Sequence, residues 1–278
     1  MADDASVFGR RPIVARIAAP AGPPEPRLCA RAGAAVLSVP GRYCMMHILI
    51  GDEAVAVVDV GSEADLARLA AALRLLGRTF AAVSCAVVTH LHFDHALGVV
   101  PLARRCGCPA GVSKRAFDAL NGGPELRLPP PAAMPELLRG WVMQGLPVFT
   151  SGDFALLRKV GLRPRADALG VPLLSLGEGD GLPGVPGWKV LFTPGHADDA
   201  MALYHEAAQF LVTGDTVRNF LGGEWNPVRT DREAFDQTRA RLTSLPVRTV
   251  FPGHGPVIEG ERVLHRLMDP NAGRAQQP

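Results

Sequence analysis

The chain has 278 residues, 47% of them hydrophobic, with 29 basic and 27 acidic side chains and a formal net charge of +2. A chain of this length can bury a large core without disulfides, and five cysteines without framework spacing favour a reducing, cytoplasmic location. The dispersed charge argues against a nucleic-acid partner. Charged residues, Gly or Pro interrupt every apolar run, so we expect neither a signal peptide nor a membrane association.

The first part of the chain predicts an arm followed by a sheet. Residues 1–30 are rich in Pro, Ala and Gly, a composition that extends rather than packs, so we predict a flexible N-terminal arm there. Short apolar runs closed by turn residues then predict strands at 36–39, 45–50 and 54–60. We expect one domain over residues 31–270, with a tail at 271–278.

A helix and a histidine-rich segment come next. Ser62 opens a capping pattern and leucines recur at helical spacing until Gly77, which predicts a helix. An apolar run at 83–88 predicts a strand, and four metal-competent side chains follow it within six residues: His90, His92, Asp94 and His95. Imidazole and carboxylate suit a cation such as zinc, so this segment predicts half of a metal site, with Leu91 and Phe93 as core residues between the ligands.

Residues from 122 to about 180 have a different pattern. Repeated prolines divide this segment into short pieces, which predicts an insertion of short helices rather than a second core. Its apolar side chains are too many to leave in water. They either pack on the main domain or form a lid or an apolar substrate wall. Both interpretations stay open for four residues: Trp141, Met143, Phe149 and Phe154.

The second half of the chain repeats the pattern of an apolar run followed by a potential ligand. Predicted strands at 188–192, 210–213 and 249–251 precede His196, Asp215 and His254, so that each ligand is expected just past a strand. Between the last two, Asp231 is a typical N-cap for a helix that reaches Leu242.

The order of these motifs carries a resemblance. The sequence His-x-His-x-Asp-His at 90–95, Pro-Gly-His at 194–196, Gly-Asp-Thr at 214–216 and Pro-Gly-His-Gly at 252–255 resembles the metallo-β-lactamase-fold hydrolases. It looks most like their glyoxalase II and lactonase branch, over about residues 36 to 258. The resemblance implies an α/β fold, a four-layer αβ/βα sandwich of two mixed sheets with the metals at one edge, here with a helical insertion.

The resemblance also implies a dinuclear site. One metal would be held by His90, His92 and His196, the other by Asp94, His95 and His254, with Asp215 between them. Asp94 and Asp215 are the expected catalytic carboxylates, and Asp59, in a strand-end Asp-x-Gly, would accept a hydrogen bond from a liganding histidine. We expect two Zn²⁺, or alternatively Fe or Mn, and a metal-bridging hydroxide that attacks an ester, lactone or thioester.

The chain departs from the family's pattern near two ligands. Asp198 and Asp199 follow Pro-Gly-His and place two further acids near the first metal. Arg218 stands in the stretch where the lactonases have a tyrosine that touches the substrate carbonyl. It is a candidate for binding a substrate anion or a developing oxyanion, and a solvent-exposed or core-pairing arginine is at least as open an interpretation. The segment after the last motif is short, which argues against a glutathione thioester.

Three other functions stay open at this stage. Persulfide dioxygenases of the same superfamily bind one iron through two histidines and an aspartate, all of which this chain has. Two metals also suit the hydrolysis of a small phosphodiester. A metal-binding scaffold without activity is the third alternative. The expected partner is a small-molecule substrate with an apolar or acyl part, and homodimer formation is left open.

Overall fold

The computed structural model describes residues 25–145, 147–160 and 165–272. Within these ranges the chain forms fourteen strands: β1 Arg27–Arg31, β2 Ala34–Pro40, β3 Met45–Ile50, β4 Val55–Val58, β5 Val83–Val87, β6 Ala110–Ser113, β7 Leu173–Leu176, β8 Gly181–Leu182, β9 Val185–Phe192, β10 Met201–His205, β11 Phe210–Arg218, β12 Glu224–Trp225, β13 Thr249–His254 and β14 Ile258–Glu259. They form two seven-stranded sheets, one from β1 to β7 and one from β8 to β14.

Eight α-helices accompany the sheets in the described part of the chain: α1 Leu66–Leu75, α2 Phe93–Ala96, α3 Val99–Cys106, α4 Lys114–Leu120, α5 Met134–Met143, α6 Ser151–Val160, α7 Ala166–Leu169 and α8 Arg232–Thr243. Asp231 caps α8 as predicted, because its side chain accepts a hydrogen bond from the amide of Ala234. Helices α5, α6 and α7 belong to the predicted insertion.

The sheets pack face to face between two outer layers. The first sheet runs in the order β1 to β7, antiparallel up to β4 and parallel from β4 to β7. Its inner face packs on the second sheet through residues such as Val58, Trp188 and Phe251. Leu73 of α1 and Leu102 of α3 cover its outer face. Because α8 covers the outer face of the second sheet, the layers are those of the predicted αβ/βα sandwich.

Two predicted boundaries were wrong. The arm was expected up to residue 30, but β1 begins at Arg27 and pairs with β2, so that Leu28 lies opposite Leu37. Only Cys29 of β1 is buried. The hydrophobic pattern of this edge strand is therefore too weak to predict it from the sequence. The insertion was expected up to about residue 180, but β7 already belongs to the first sheet, where Leu173 pairs with Ala110. Most of the predicted arm and tail, at 1–24 and 273–278, lies outside the described residues.

Candidate metal centre

The ligand candidates meet at one edge of the two sheets. His90 follows β5, His92 caps the single turn of α2, and Asp94 and His95 lie within that turn. His196 lies in the loop between β9 and β10. Asp215 and His254 were expected just past strands, but they lie inside β11 and β13, because both strands continue through irregular register. The two halves of the chain therefore contribute to one site.

Three histidines form the first cluster. Nε2 of His90 lies 3.0 Å from Nδ1 of His92, and Nε2 of His196 lies 3.2 Å from the same atom. All three rings are largely removed from solvent. Three ligand atoms that converge within 4.8 Å of one another can hold a single cation.

Asp94, His95 and His254 form the second cluster. Nε2 of His254 lies 3.5 Å from Oδ2 of Asp94 and 3.4 Å from Nε2 of His95. Asp215 lies between the clusters, since its Oδ1 is 3.1 Å from Nε2 of His254 and its Oδ2 is 3.6 Å from Nε2 of His196. One carboxylate thus faces both groups, as a bridging ligand would.

The hydrogen bonds around the first cluster fit a cation. Nδ1 of His196 donates to the carbonyl of Val228 at 2.9 Å, so the neutral ring presents the lone pair of Nε2 to the site. The hydroxyl of Thr89 donates to Asp59 and therefore accepts from Nδ1 of His90, at 3.1 Å, which orients that ring in the same way. The lone pairs on Nε2 of His90 and Nε2 of His196 both face Nδ1 of His92. That nitrogen carries at most one proton, so it can donate a hydrogen bond to only one of them. A cation would satisfy all three nitrogens.

Asp59 holds the predicted position beside a liganding histidine. Its Oδ2 accepts a hydrogen bond from Nδ1 of His95 at 2.9 Å, and its two oxygens also accept from the amide and the hydroxyl of Thr89, each at 2.8 Å. Asp59 is fully buried and has a φ of 57°, in the left-handed region that few side chains adopt. The carboxylate therefore orients His90, through Thr89, and His95 at once.

The clusters differ in protonation before a metal binds. Burial and the facing His196 lower the pKa of His92 to about 4, so this ring is neutral at neutral pH, as a ligand must be. Burial also opposes a charge on His254, but Asp215 and Asp94 outweigh it and raise its pKa to about 9. Burial also opposes a charge on Asp215, but His254 and His95 outweigh it and hold the pKa of Asp215 well below its usual value. Metal binding at the second cluster would displace protons.

A cavity of about 420 Å³ opens beside the ligands and extends under the insertion. Its polar lining consists of the ligands His92, Asp94, His196, Asp215 and His254 together with Glu136, Gln144, Arg218 and Asn226. The other lining side chains are apolar and come from the first sheet, from the segment that runs from β5 to α3, from α4 and from the insertion, with Phe220 and Val228 from the second half of the chain. The cavity thus joins a polar centre to an apolar wall.

The four insertion residues predicted for the substrate wall lie in different surroundings. Trp141 lines the cavity, whereas Met143, Phe149 and Phe154 do not. Phe149 packs on the rings of Tyr43 and Phe93, at 5.4 and 5.3 Å, while Met143 and Phe154 are 38% and 54% exposed. Their absence from the lining favours packing for these three residues, and their role as substrate contacts stays a prediction.

Leu91 and Phe93, which we expected in the core, both line the cavity, and Leu91 also packs against the core on the outer face of the first sheet. In the segment after β5, Leu91 and Phe93 stand between candidate ligands. The turn that directs the ligands toward the candidate metal centre therefore directs these two side chains toward the cavity. Phe93 is 39% exposed and lies 5.9 Å from the ring of Trp141. Strict alternation between ligand and apolar residue was the signal that could have identified them.

Arg218 lies in the cavity wall with its charge already paired. Its Nε donates to Glu224 at 2.7 Å and its second guanidinium nitrogen donates to Glu136 at 3.2 Å. Only 3% of Arg218 is exposed. Two carboxylates around one guanidinium favour the core-pairing interpretation over an anion-binding role. No local pattern indicated Glu136, which is 82 residues from Arg218, whereas Glu224 lies opposite Arg218 in the pair of β11 and β12.

The two additional acids have separate roles. Asp198 accepts from the guanidinium of Arg127 at 2.8 Å and so fixes the start of the insertion. Asp199 is buried and accepts from the amide of Leu91 at 2.8 Å, which holds the segment of ligands in place. Burial raises the pKa of Asp199 to about 6.

A family model for the metallo-beta-lactamase superfamily matches residues 39–254, a range that contains every ligand candidate. The chain belongs to this superfamily. Its ligand geometry and its two-sheet sandwich are therefore those of a metallo-β-lactamase-superfamily protein, as the motif order indicated.

Two curated relatives match in part. The probable metallo-hydrolase YqjP of Bacillus subtilis (strain 168) is 30% identical over 113 residues, which cover 37% of this chain and 35% of that protein. An atrochrysone carboxyl ACP thioesterase of Aspergillus fumigatus is 39% identical over 90 residues, 32% of this chain and 27% of that protein. These matches span about a third of the relatives' own length.

A solved structure matches over more of the chain. The metallo-beta-lactamase family protein TTHA1429 from Thermus thermophilus has a TM-score of 0.56 and 25% identity, with 84% of this chain and 76% of that chain covered. None of the helices in the described ranges is long and apolar enough to cross a membrane.

Proposed function

We propose that this metallo-β-lactamase-superfamily protein is a dinuclear metal-dependent hydrolase of an ester-type acyl bond, an ester, a lactone or a thioester. The observation that carries the proposal is the position of Asp215 between two complete ligand clusters, at the mouth of a largely apolar cavity. When bound, two divalent cations would supply an acidic water as nucleophile and polarise the acyl carbonyl. Imidazole-rich ligands favour Zn²⁺, with Fe or Mn as alternatives.

The protein's own residues would orient and enclose the reaction. Asp59 and Val228 fix the ring orientation of His95 and His196 through the hydrogen bonds to their outer nitrogens. Asp94 and Asp215 are the carboxylates nearest the cavity and would accept protons there. Leu91, Phe93 and Trp141 exclude water from the apolar side of the site.

The relatives' names support a hydrolase and include a thioesterase. The cavity argues against a phosphodiester, because its one lining arginine, Arg218, is already neutralised by Glu136 and Glu224. The presence of a second full ligand cluster argues against the mononuclear iron dioxygenase.

Metal analysis and a substrate screen test the proposal together. We expect about two equivalents of zinc in the purified protein and turnover of acyl esters, lactones or thioesters. Chelation should abolish turnover and added Zn²⁺ should restore it. Bis-nitrophenyl phosphate serves as the comparison substrate. One equivalent of iron, or faster hydrolysis of the phosphodiester than of every acyl substrate, would contradict the proposal.

A further inference from the structure

The cavity beside the metal centre extends well past the ligands, along the outer face of the first sheet. Val88, Ala110 and Val112 from this face line it, and all three belong to the core that the helices cover. Ala110 pairs with Ala86 of β5, four residues before His90. Since a strand rises about 3.3 Å per residue, the cavity is up to about 13 Å deep from the level of His90.

The far end of the cavity is apolar on every side. Leu173 of β7 pairs with Ala110 there, and Leu120 of α4 and Leu169 of α7 belong to the same buried apolar cluster and line the cavity. Each of these side chains is apolar, whereas the ligands lie at the opposite end. A ligand that fills the cavity must therefore be polar at one end and hydrocarbon over the rest of its length.

The described lining offers no free positive charge to a second polar group. Arg218, the one arginine in it, is held by Glu136 and Glu224, and His254 lies against Asp94 and Asp215. Asp94 and Asp215 add negative charge at the mouth. A phosphate or carboxylate on the buried part of a ligand would be unpaired and costly there, so the buried part is neutral.

The insertion is fixed over this cavity at several points. Asp153 at the start of α6 is buried and accepts hydrogen bonds from Tyr43 at 2.8 Å and from Ser62 at 2.9 Å. Arg127 binds Asp198, and Glu136 of α5 binds Arg218. These contacts join the insertion to both halves of the domain, so the cavity is formed before a ligand arrives.

We propose that this cavity, the acyl pocket, holds the apolar acyl chain of the substrate, with room for about ten carbons, and places its carbonyl at the metal centre. The chain length follows from the depth, because an extended chain advances about 1.2 Å per bond, as three backbone bonds span about 3.6 Å. The placement of the acyl carbonyl at the metal centre rests on the proposed function. The affinity of the pocket for a neutral hydrocarbon chain is independent of that function.

Binding of 1-alkanols to chelated protein tests the pocket without turnover. Alcohols are chosen because fatty acids would be repelled by Asp94 and Asp215. In calorimetric titrations we expect affinity to rise about fourfold for each added methylene and to level off near ten carbons. Affinity that does not depend on chain length, or that levels off by about five carbons, would overturn the proposal.

Substitutions at the far end should shorten the pocket. Ala110→Leu fills it from β6, and Leu169→Phe fills it from α7 should the first variant not fold. Each should move the length at which affinity levels off down by about two carbons, since each substitution extends the side chain by about two bonds. Melting temperature and zinc content monitor the fold. A folded variant with an unchanged length limit would count against the pocket.

A neighbouring pair of leucines gives a matched control. Leu137 lines the pocket, whereas Leu138 on the same helix does not and is 59% exposed. Leu137→Ala should weaken decanol binding several-fold, and Leu138→Ala should leave it unchanged. Equal effects of the two variants would contradict the proposal.

The same variants separate the two proposals when acyl substrates are supplied to the zinc-loaded protein. If alkanols bind with the expected length limit but no acyl substrate is hydrolysed, the proposed function fails and the pocket stands. If acyl substrates are hydrolysed at rates that ignore chain length, the function stands and the acyl pocket fails.

Discussion

The edge of the two sheets that carries the candidate ligands, here called the metal-binding edge, and the insertion contribute to the site in different ways. At the edge, the candidate ligands lie in a strand, in or beside a single helical turn, or in the loop after β9, and buried hydrogen bonds to Asp59 and to the carbonyl of Val228 fix two of the rings. In the insertion, short helices present apolar side chains in several directions, and only some of them reach the cavity. In the proposed function, the chemistry would depend on the strands and turns that carry the candidate ligands, and the choice of substrate on the packing of the insertion.

The largest expected effect removes a ligand. His92→Ala should lose metal from the first cluster and reduce kcat/KM by about a thousandfold or more, because the nucleophile depends on the bound cations. His265→Ala is the matched control, since His265 is exposed and contacts the carbonyl of Thr243 far from the ligands. Zinc content and kcat/KM are measured for both. Full activity in His92→Ala would refute the importance of the metal-binding edge.

A second prediction concerns the acid that supports the ligand segment. Asp199→Asn keeps an acceptor for the amide of Leu91 but removes the titratable carboxyl group. Burial raises the pKa of that carboxyl to about 6. A carboxyl whose pKa is raised on folding contributes stability below its unfolded pKa, and this contribution is lost as pH rises through the folded value.

The free energy of unfolding of chelated wild-type protein should therefore fall relative to Asp199→Asn between about pH 4 and pH 6, and the difference should stay constant above that. The total is on the order of 2–3 kcal/mol. Urea unfolding at several pH values measures it. Parallel pH curves for the two proteins would contradict the raised pKa.

A third prediction weakens the support of the ligands and leaves the ligands themselves in place. Asp59→Asn removes the carboxylate that accepts from Thr89 and His95. We expect zinc affinity to fall about 10- to 100-fold, because outer hydrogen bonds set ring orientation and basicity. Competition with a chromogenic chelator measures the affinity. Wild-type affinity in a correctly folded variant would show that ring orientation needs no support from Asp59.

The smallest expected effect separates the insertion from the edge. Trp141→Ala should raise KM for long acyl substrates by about tenfold and leave KM for acetyl substrates and the zinc content unchanged, because only the long chain loses buried contact. Met143→Ala is the control from the same helix, since Met143 does not line the cavity. Unchanged kinetics in both variants would reduce Trp141 to a packing residue.

The sequence by itself determined the family, the fold class and the order of the ligand motifs, because a strand followed at once by a dense set of ligands is a local pattern. Adjacent positions such as His90 to His95 keep their relation in any fold that contains the strand and the turn. The cap at Asp231 was readable for the same reason. Each of these features depends on neighbours a few residues away.

Only the tertiary structure decided which apolar residues face the substrate and which charges are free. Trp141 lines the cavity while Phe149 packs on Tyr43, and nothing in their local sequence separates them. Arg218 is neutralised by a glutamate 82 residues away in the chain. Contacts of that kind depend on how the insertion packs over the sheet. A hydrophobic or charge pattern along the chain does not specify the direction in which the insertion packs.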